Sequence, residues 1–391
     1  MTDVLVIGAG PAGLMAAETL AAAGRKVTIV DAMPSVGRKF MMAGKSGLNI
    51  TKDEDIETFL SACGPMPEVM QTALRAFGPE QVKAWAEGLG QPLFTGSTGR
   101  VFPKAMKASP LLRAWMGRLT DLGVTFHTRW RWTGWDDDAV TFDTPAGPQR
   151  LNPTVTILGL GGASWPRLGS DGTWSKHFDQ IAPFHPANMG FLVQWSEHMA
   201  GHFGKPVKAV ALNAGQTSSR GEFVISAHGI EGGGIYEVSR AMREGASLTI
   251  DLLPDWSLDR VRKAVQRPRG KNTLTNHLRK ALKLEPAQLA ILSEFGRPFP
   301  QDIASIIKSV PITHSGPMTL DHAISSAGGI RFEDLQGFQV RARTNVYCVG
   351  EMLNWEAPTG GYLITACLAT GRAAALQASQ SLPCHSVRMQ F

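Results

Sequence analysis

Cysteine is scarce in this chain and poorly placed for chemistry. The four residues are Cys63, Cys348, Cys367 and Cys384. None forms a Cys-x-x-Cys pair, and none stands near a second Cys or His pair at zinc spacing, which argues against a dithiol redox centre and against a metal site. No uncharged apolar run approaches the roughly 20 residues that span a bilayer. The nearest stretch, 361–376, is rich in Ala and Thr and carries Arg372. The first strand is expected by Asp3, which leaves no room for a signal peptide, so a cytoplasmic protein without a membrane partner is expected. Only three tyrosines are present. No Ser-His-Asp order, acid pair, internal repeat or low-complexity tract stands out.

What is present suits a large core. The chain has 391 residues, 43% of them hydrophobic and 18% charged, enough for two or three domains and too apolar for disorder. The net charge of +6 is local. Segment 258–285 holds nine basic residues (Arg260, Arg262, Lys263, Arg267, Arg269, Lys271, Arg279, Lys280, Lys283) against Asp259 and Glu285, a local +7 that leaves the rest near −1. One reading is a solvated helical face. The other is an electrostatic footprint for RNA along Arg260–Lys283, with Trp256 nearby for stacking.

The N-terminal end carries the strongest local signal. Val4-Leu5-Val6-Ile7 reads as a buried parallel strand, and Gly8-x-Gly10-Pro11-Ala12-Gly13 follows at once. Leu14 to Ala23 reads as a helix, Lys26 to Val30 as a second strand, and Asp31-Ala32 ends it. Strand, glycine turn, helix, strand and acid within about 30 residues form a dinucleotide fingerprint. Gly8 permits the tight turn, Gly10 lets backbone approach a pyrophosphate, and Gly13 allows close helix–strand packing. The helix N-terminus suits phosphates, and Asp31 suits ribose hydroxyls. This motif does not separate FAD from NAD.

Later residues do. Gly37-Arg38-Lys39 and Lys45-Ser46-Gly47-Leu48-Asn49 form a stretch too basic and glycine-rich for an ordinary crossover. It resembles the loop that runs beneath the flavin ring in two-dinucleotide-binding flavoproteins. Near the other end, Val346 to Val349 reads as a buried strand closed by Gly350-Glu351, and Pro358-Thr359-Gly360-Gly361-Tyr362 opens a helix. In this class the acid bonds the ribityl chain, and the helix N-terminus faces the ring edge that is negative when reduced. Thr154 to Leu158 reads as the next buried strand, ended by Gly159-Leu160-Gly161-Gly162 with Gly161 expected at the cofactor; a complete strand-GxGxxG-helix unit for NAD(P)H does not follow, because Trp165-Pro166 interrupts a helix there. Val124 to Trp132 is expected to be one strand, with Trp132 over adenine.

The order of these motifs, together with Gly161-Gly162-Ala163-Ser164, Gly169-Ser170-Asp171-Gly172 and Ala327-Gly328-Gly329-Ile330, resembles the BaiN/RdsA family of NAD(P)/FAD-dependent oxidoreductases, the YhiN-like flavoproteins, over nearly the whole length. Typical members read Gly-Gly-Gly-Arg-Cys-Asn beneath the flavin; this chain reads Gly44-Lys45-Ser46-Gly47-Leu48-Asn49, so the Arg and Cys are replaced. The resemblance implies an α/β fold, a Rossmann-type FAD-binding domain with an inserted antiparallel β plus helical module. The divisions expected are 1–188, 189–320 (barrel-like strands, then helices over about 255–310) and 321–391. It also implies FAD, with NAD(P)H as transient reductant. Members have been linked to reduction of carbon–carbon double bonds in steroid-like intermediates and in a uridine of ribosomal RNA. Three functions stay open: a flavoenzyme reducing an activated carbon–carbon bond, one forming dihydrouridine in ribosomal RNA, and a flavin-binding sensor. Lys45, Tyr362 and His228 are the candidate proton donors.

Overall fold

The computed structural model describes residues 3–382. These form two compact units: one runs to His185 and resumes at Ser325, and the other is Pro186–Ile324.

The first unit is built on a parallel sheet. Its strands are β1 (Val4–Ile7), β2 (Val27–Asp31), β3 (Thr125–Thr128), β4 (Val155–Leu158) and β5 (Val346–Cys348), in the spatial order β5-β4-β1-β2-β3, with a short antiparallel hairpin (Leu335–Gln336, Gln339–Val340) beyond β5. Every residue of β1 and β4 is buried, as expected of central parallel strands covered on both faces. Helix α1 (Pro11–Ala22) follows β1 directly; Pro11 at its first turn costs no hydrogen bond there. Helix α2 (Arg38–Ala43) follows the loop after β2, and α3 (Tyr362–Ser381) closes the unit.

Two glycines explain the tight seam under α1. A Cβ on Gly13 would lie 2.0 Å from the Gly8 carbonyl oxygen, and one on Gly371 of α3 would lie 2.2 Å from the Ala12 carbonyl oxygen. Only glycine allows backbones this close.

The expected strand Val124–Trp132 is corrected. β3 stops at Thr128, Arg129 takes φ +60°, and Arg131–Asp136 begins a separate antiparallel sheet with Ala139–Asp143 and Gln149–Leu151. After β4 the chain forms a short 3-10 turn at Pro166–Leu168 from a left-handed Trp165, in place of a second nucleotide-binding helix.

The second unit is a six-stranded antiparallel sheet in the order Phe191–Leu192, Gly229–Glu231, Thr217–Ser226, Lys205–Ala214, Leu248–Asp251, Val310–Ile312. Its two end strands do not pair with each other, so the sheet is open, unlike the barrel-like unit expected. Helices Leu258–Val265 and Leu274–Leu282 are capped by Ser257 and Thr273 and separated at Pro268-Arg269-Gly270. No described helix is long and apolar enough to cross a membrane.

Candidate cofactor site

A cavity opens at the C-terminal edge of the parallel sheet, the place where open α/β sheets bind ligands. Gly8 to Ala12, Asp31, Ala32, Gly37, Arg38, Lys39, Trp132, Gly161 and Glu351 line it, so segments far apart in sequence meet here. Met33, Ser35, Trp130, Leu168, Gly169, Ser170 and Cys367 line it too and were not expected. The Gly169-Ser170 pair carried a signal in its glycine-rich motif. Trp130 had none, because its place depends on where β3 ends.

The glycines of the first turn divide their work. A Cβ on Gly8 would stand 2.3 Å from the Gly159 carbonyl oxygen, so Gly8 serves the crossing of β1 and β4. Gly10 has φ −85° and nothing within 4 Å of such a Cβ, so it fronts open space at the start of α1. Asp31 accepts hydrogen bonds from Ala9 N–H and Met33 N–H, each at 2.8 Å. Burial raises its pKa above the usual carboxylate range, opposed by those two bonds and by Arg38 and Arg131.

Lys39 and Glu351 form the electrostatic centre. Lys39 Nζ lies 2.5 Å from Glu351 Oε2 and 2.8 Å from Ser164 Oγ, and Ser326 N–H donates to Glu351 Oε1 at 3.0 Å. Glu351 is 6% exposed.

The remaining predicted residues lie outside this lining. Gly350 serves packing: its Cβ would meet Ala12 Cβ at 2.8 Å. Gly360 and Gly361 have φ +119° and +93°, and a Cβ on Gly361 would stand 2.5 Å from Thr51 Cα, so Gly361 presses against the strand that follows Asn49. Lys45 and Ser46 are exposed, and Lys45 lines a neighbouring groove with Met41, Met42 and Lys107. Gly47 takes φ +126° beside Met106. Tyr362 is buried against Phe59, its hydroxyl donating to Glu54 at 2.6 Å, so that phenol is already engaged. His228 stands exposed in a hairpin turn of the second unit, outside the lining of the cavity.

Five buried side-chain atoms among the described residues have no hydrogen-bond partner: Arg38 Nε, Asn49 Oδ1, Trp132 Nε1, Ser170 Oγ and Thr359 Oγ1. Arg38, Trp132 and Ser170 line the cavity; Asn49 and Thr359 flank the Gly361–Thr51 contact. Each such group costs about 1–3 kcal/mol when left unpaired. Three of them, on Arg38, Trp132 and Ser170, stand in the wall that also carries Asp31, Lys39 and Glu351, which fits a polar ligand with a dinucleotide's donors and acceptors.

The HI0933-like protein Rossmann domain matches residues 2–377. The chain belongs to that family. The "Ribosomal RNA dihydrouridine synthase" of Escherichia coli (strain K12) is 24% identical over 378 residues, covering 92% of this chain and 94% of that protein. The protein of the same name from Haemophilus influenzae is 21% identical over 394 residues, covering 92% and 94%. Among solved structures, a 3-ketosteroid delta1-dehydrogenase from Sterolibacterium denitrificans in complex with 1,4-androstadiene-3,17-dione is 14% identical, with TM-score 0.53, covering 97% of this chain and 99% of that one. At that identity the likeness shows the fold. The family member described here has a Rossmann-type FAD-binding domain with an inserted antiparallel β plus helical module.

The three described thiols are all buried. Burial pushes Cys63 and Cys367 up to about 12 and raises Cys348 as well, so all three stay protonated; Cys384 lies outside the described residues.

Proposed function

We propose that the protein is an FAD-dependent oxidoreductase that transfers hydride between flavin and an activated carbon–carbon double bond, with NAD(P)H as the electron donor. The carrying observation is one cavity lined by the Gly8–Ala12 turn, Asp31, Lys39 and Glu351, with unpartnered buried polar atoms on Arg38, Trp132 and Ser170 in its wall. FAD, when bound, supplies the two-electron chemistry. The chain's residues would bind and orient it: Gly10 and the α1 N-terminus would hold the pyrophosphate, Asp31 would accept from ribose hydroxyls, and Glu351, held by Lys39 and Ser326, would bond the ribityl chain. Asn49, Thr359 and the N-terminus of α3 would hold the ring end. Lys45 is the free candidate to supply a proton there; Tyr362 is bonded to Glu54 and His228 lies on the second unit.

The test is an anaerobic screen. Enzyme reduced by NAD(P)H is mixed with enones, nitroalkenes, 3-ketosteroids and uridine-containing RNA, and flavin reoxidation is followed. Reoxidation by at least one activated alkene supports the proposal. Reoxidation by oxygen or quinones alone would overturn it.

A second reading, dihydrouridine formation in ribosomal RNA, is favoured by the two relatives matched over nearly their full length. The second unit offers a basic surface for it: Lys263, Arg267, Arg269, Lys271, Arg279, Lys280 and Lys283 are exposed, whereas Arg262 is bonded to Asp302 and Arg260 stacks on Trp256 at 3.9 Å. Loss of dihydrouridine from ribosomal RNA in a deletion strain, restored by the wild-type chain, supports it; an unchanged content counts against it.

A further inference from the structure

One face of the first unit combines exposed apolar rings with unpaired cations. Phe94 is 40% exposed and stacks on half-buried Phe102, with centroids 5.6 Å apart and planes at 24°. Met106, 38% exposed, continues the surface: a Cβ on Gly47 would touch Met106 Cε at 2.7 Å and Phe102 Cε1 at 3.7 Å. Leu48 N–H bonds the Met106 carbonyl at 2.9 Å, which ties this surface to the Lys45–Asn49 loop. Gly44 packs on Ala108, so the adjoining groove, floored by Met41 and Met42, is part of the same face.

Lys45, Lys104 and Lys107 rim this face and are exposed, and none is bonded to a described carboxylate. No acidic residue lines the groove. Asp53, which Thr95 reaches at the end of the Phe94 strand, is already paired with Lys83 at 2.6 Å. Exposed Phe94, stacked on half-buried Phe102 and continued by exposed Met106, offers a flat apolar platform, and three unpaired lysines beside it select an anion. Stacking rings interleaved with backbone-tracking cations are what single-stranded nucleic acid requires.

We propose that this face docks single-stranded RNA, with an unstacked base on Phe94 and flanking phosphates on Lys104, Lys107 and Lys45. The inference rests on the second reading above and adds the surface that would present a uridine beside the Lys45–Asn49 loop. Glycine at position 47 is consistent with a flat approach, since any Cβ there would displace Met106.

The test is fluorescence anisotropy with a labelled, uridine-rich RNA of about ten nucleotides, near one binding-site length, and with a matching abasic strand. The FAD-loaded wild type, Phe94→Ala and Lys104→Gln/Lys107→Gln are compared at several salt concentrations. Phe94→Ala should weaken the uridine strand about tenfold, from the loss of one stacking contact, and leave the abasic strand unchanged. The double lysine variant should weaken both strands and reduce the salt slope by about 1.4, at about 0.7 per phosphate of a single strand. Phe94 and both lysines are exposed, so unchanged melting checks the fold. Wild-type indifference to RNA, or equal binding by all three proteins, would overturn the proposal. Dihydrouridine is measured separately: binding with the predicted pattern but without uridine reduction sinks the second reading and leaves the face intact.

Discussion

Removing either partner of the Lys39–Glu351 pair should have unequal effects. Lys39→Met strands a carboxylate that is 6% exposed. Breaking a buried ion pair from one side costs about 3–5 kcal/mol, because the remaining charge has lost both water and partner. The Lys39 side chain is 25% exposed, so water enters part of its place, and Ser326 N–H still donates to Glu351. The expected loss is therefore about 2–3 kcal/mol. Glu351→Gln strands the ammonium instead, which keeps Ser164 Oγ at 2.8 Å and reaches solvent. Its cost should be about 1 kcal/mol, that of one hydrogen bond. Lys39→Arg should recover part of the loss by retaining the charge. The assay is urea unfolding of the apoprotein by tryptophan fluorescence, for all three variants under one buffer. A Lys39→Met protein as stable as wild type, or less destabilised than Glu351→Gln, would refute the reasoning.

Other consequences are simpler to check. Cys63 and Cys367, pushed to about 12, and the raised Cys348 should resist alkylation at pH 8 until the chain is unfolded; peptide mass mapping reads this directly. Asp31 has a raised folded pKa. Its favourable contribution is thus present below about 3.9 and lost as pH rises through the folded value. The stability of Asp31→Asn relative to wild type should accordingly improve between acid and neutral pH, as followed by thermal melts of the apoprotein. Tyr362→Phe removes a buried hydroxyl bonded to Glu54, so it should cost about 1–3 kcal/mol in melting while flavin reoxidation stays within about threefold of wild type. A much larger kinetic loss would return Tyr362 to the chemistry.

The sequence made the fold class and the family legible because backbone requirements leave local marks. Gly8 and Gly13 stand where strand crossing and helix packing demand a missing side chain, Gly10 fronts open space at the start of α1, and Asp31 ends the strand beside them. Family resemblance then rested on motifs of the same kind. What stayed hidden depended on long-range partners. Lys39 and Glu351 lie 312 residues apart, and Tyr362 and Glu54 lie 308 apart; no local pattern encodes either pair. The boundary of β3 was misread because Arg129 adopts a left-handed conformation without being glycine. That error concealed Trp130, which lines the cavity beside Trp132. His228 falls in the expected inserted module within a stretch that reads as a glycine-rich loop, and the structure places it at the turn between strands Thr217–Ser226 and Gly229–Glu231.

The proposed function requires that the cradle fronted by Gly10 hold FAD. Gly10→Ala places its methyl where the protein has nothing within 4 Å, at a backbone conformation alanine accepts. Gly13→Ala drives a methyl to 2.0 Å from the Gly8 carbonyl oxygen. The most direct measurement is FAD titration of apoprotein, paired with apoprotein melting, for wild type and both variants. The account predicts saturable binding of one FAD by wild type. Gly10→Ala should melt like wild type yet bind FAD at least tenfold more weakly, and Gly13→Ala should lose stability itself. Wild-type protein that takes up no FAD, or Gly10→Ala protein that binds it with unchanged affinity, would contradict the account.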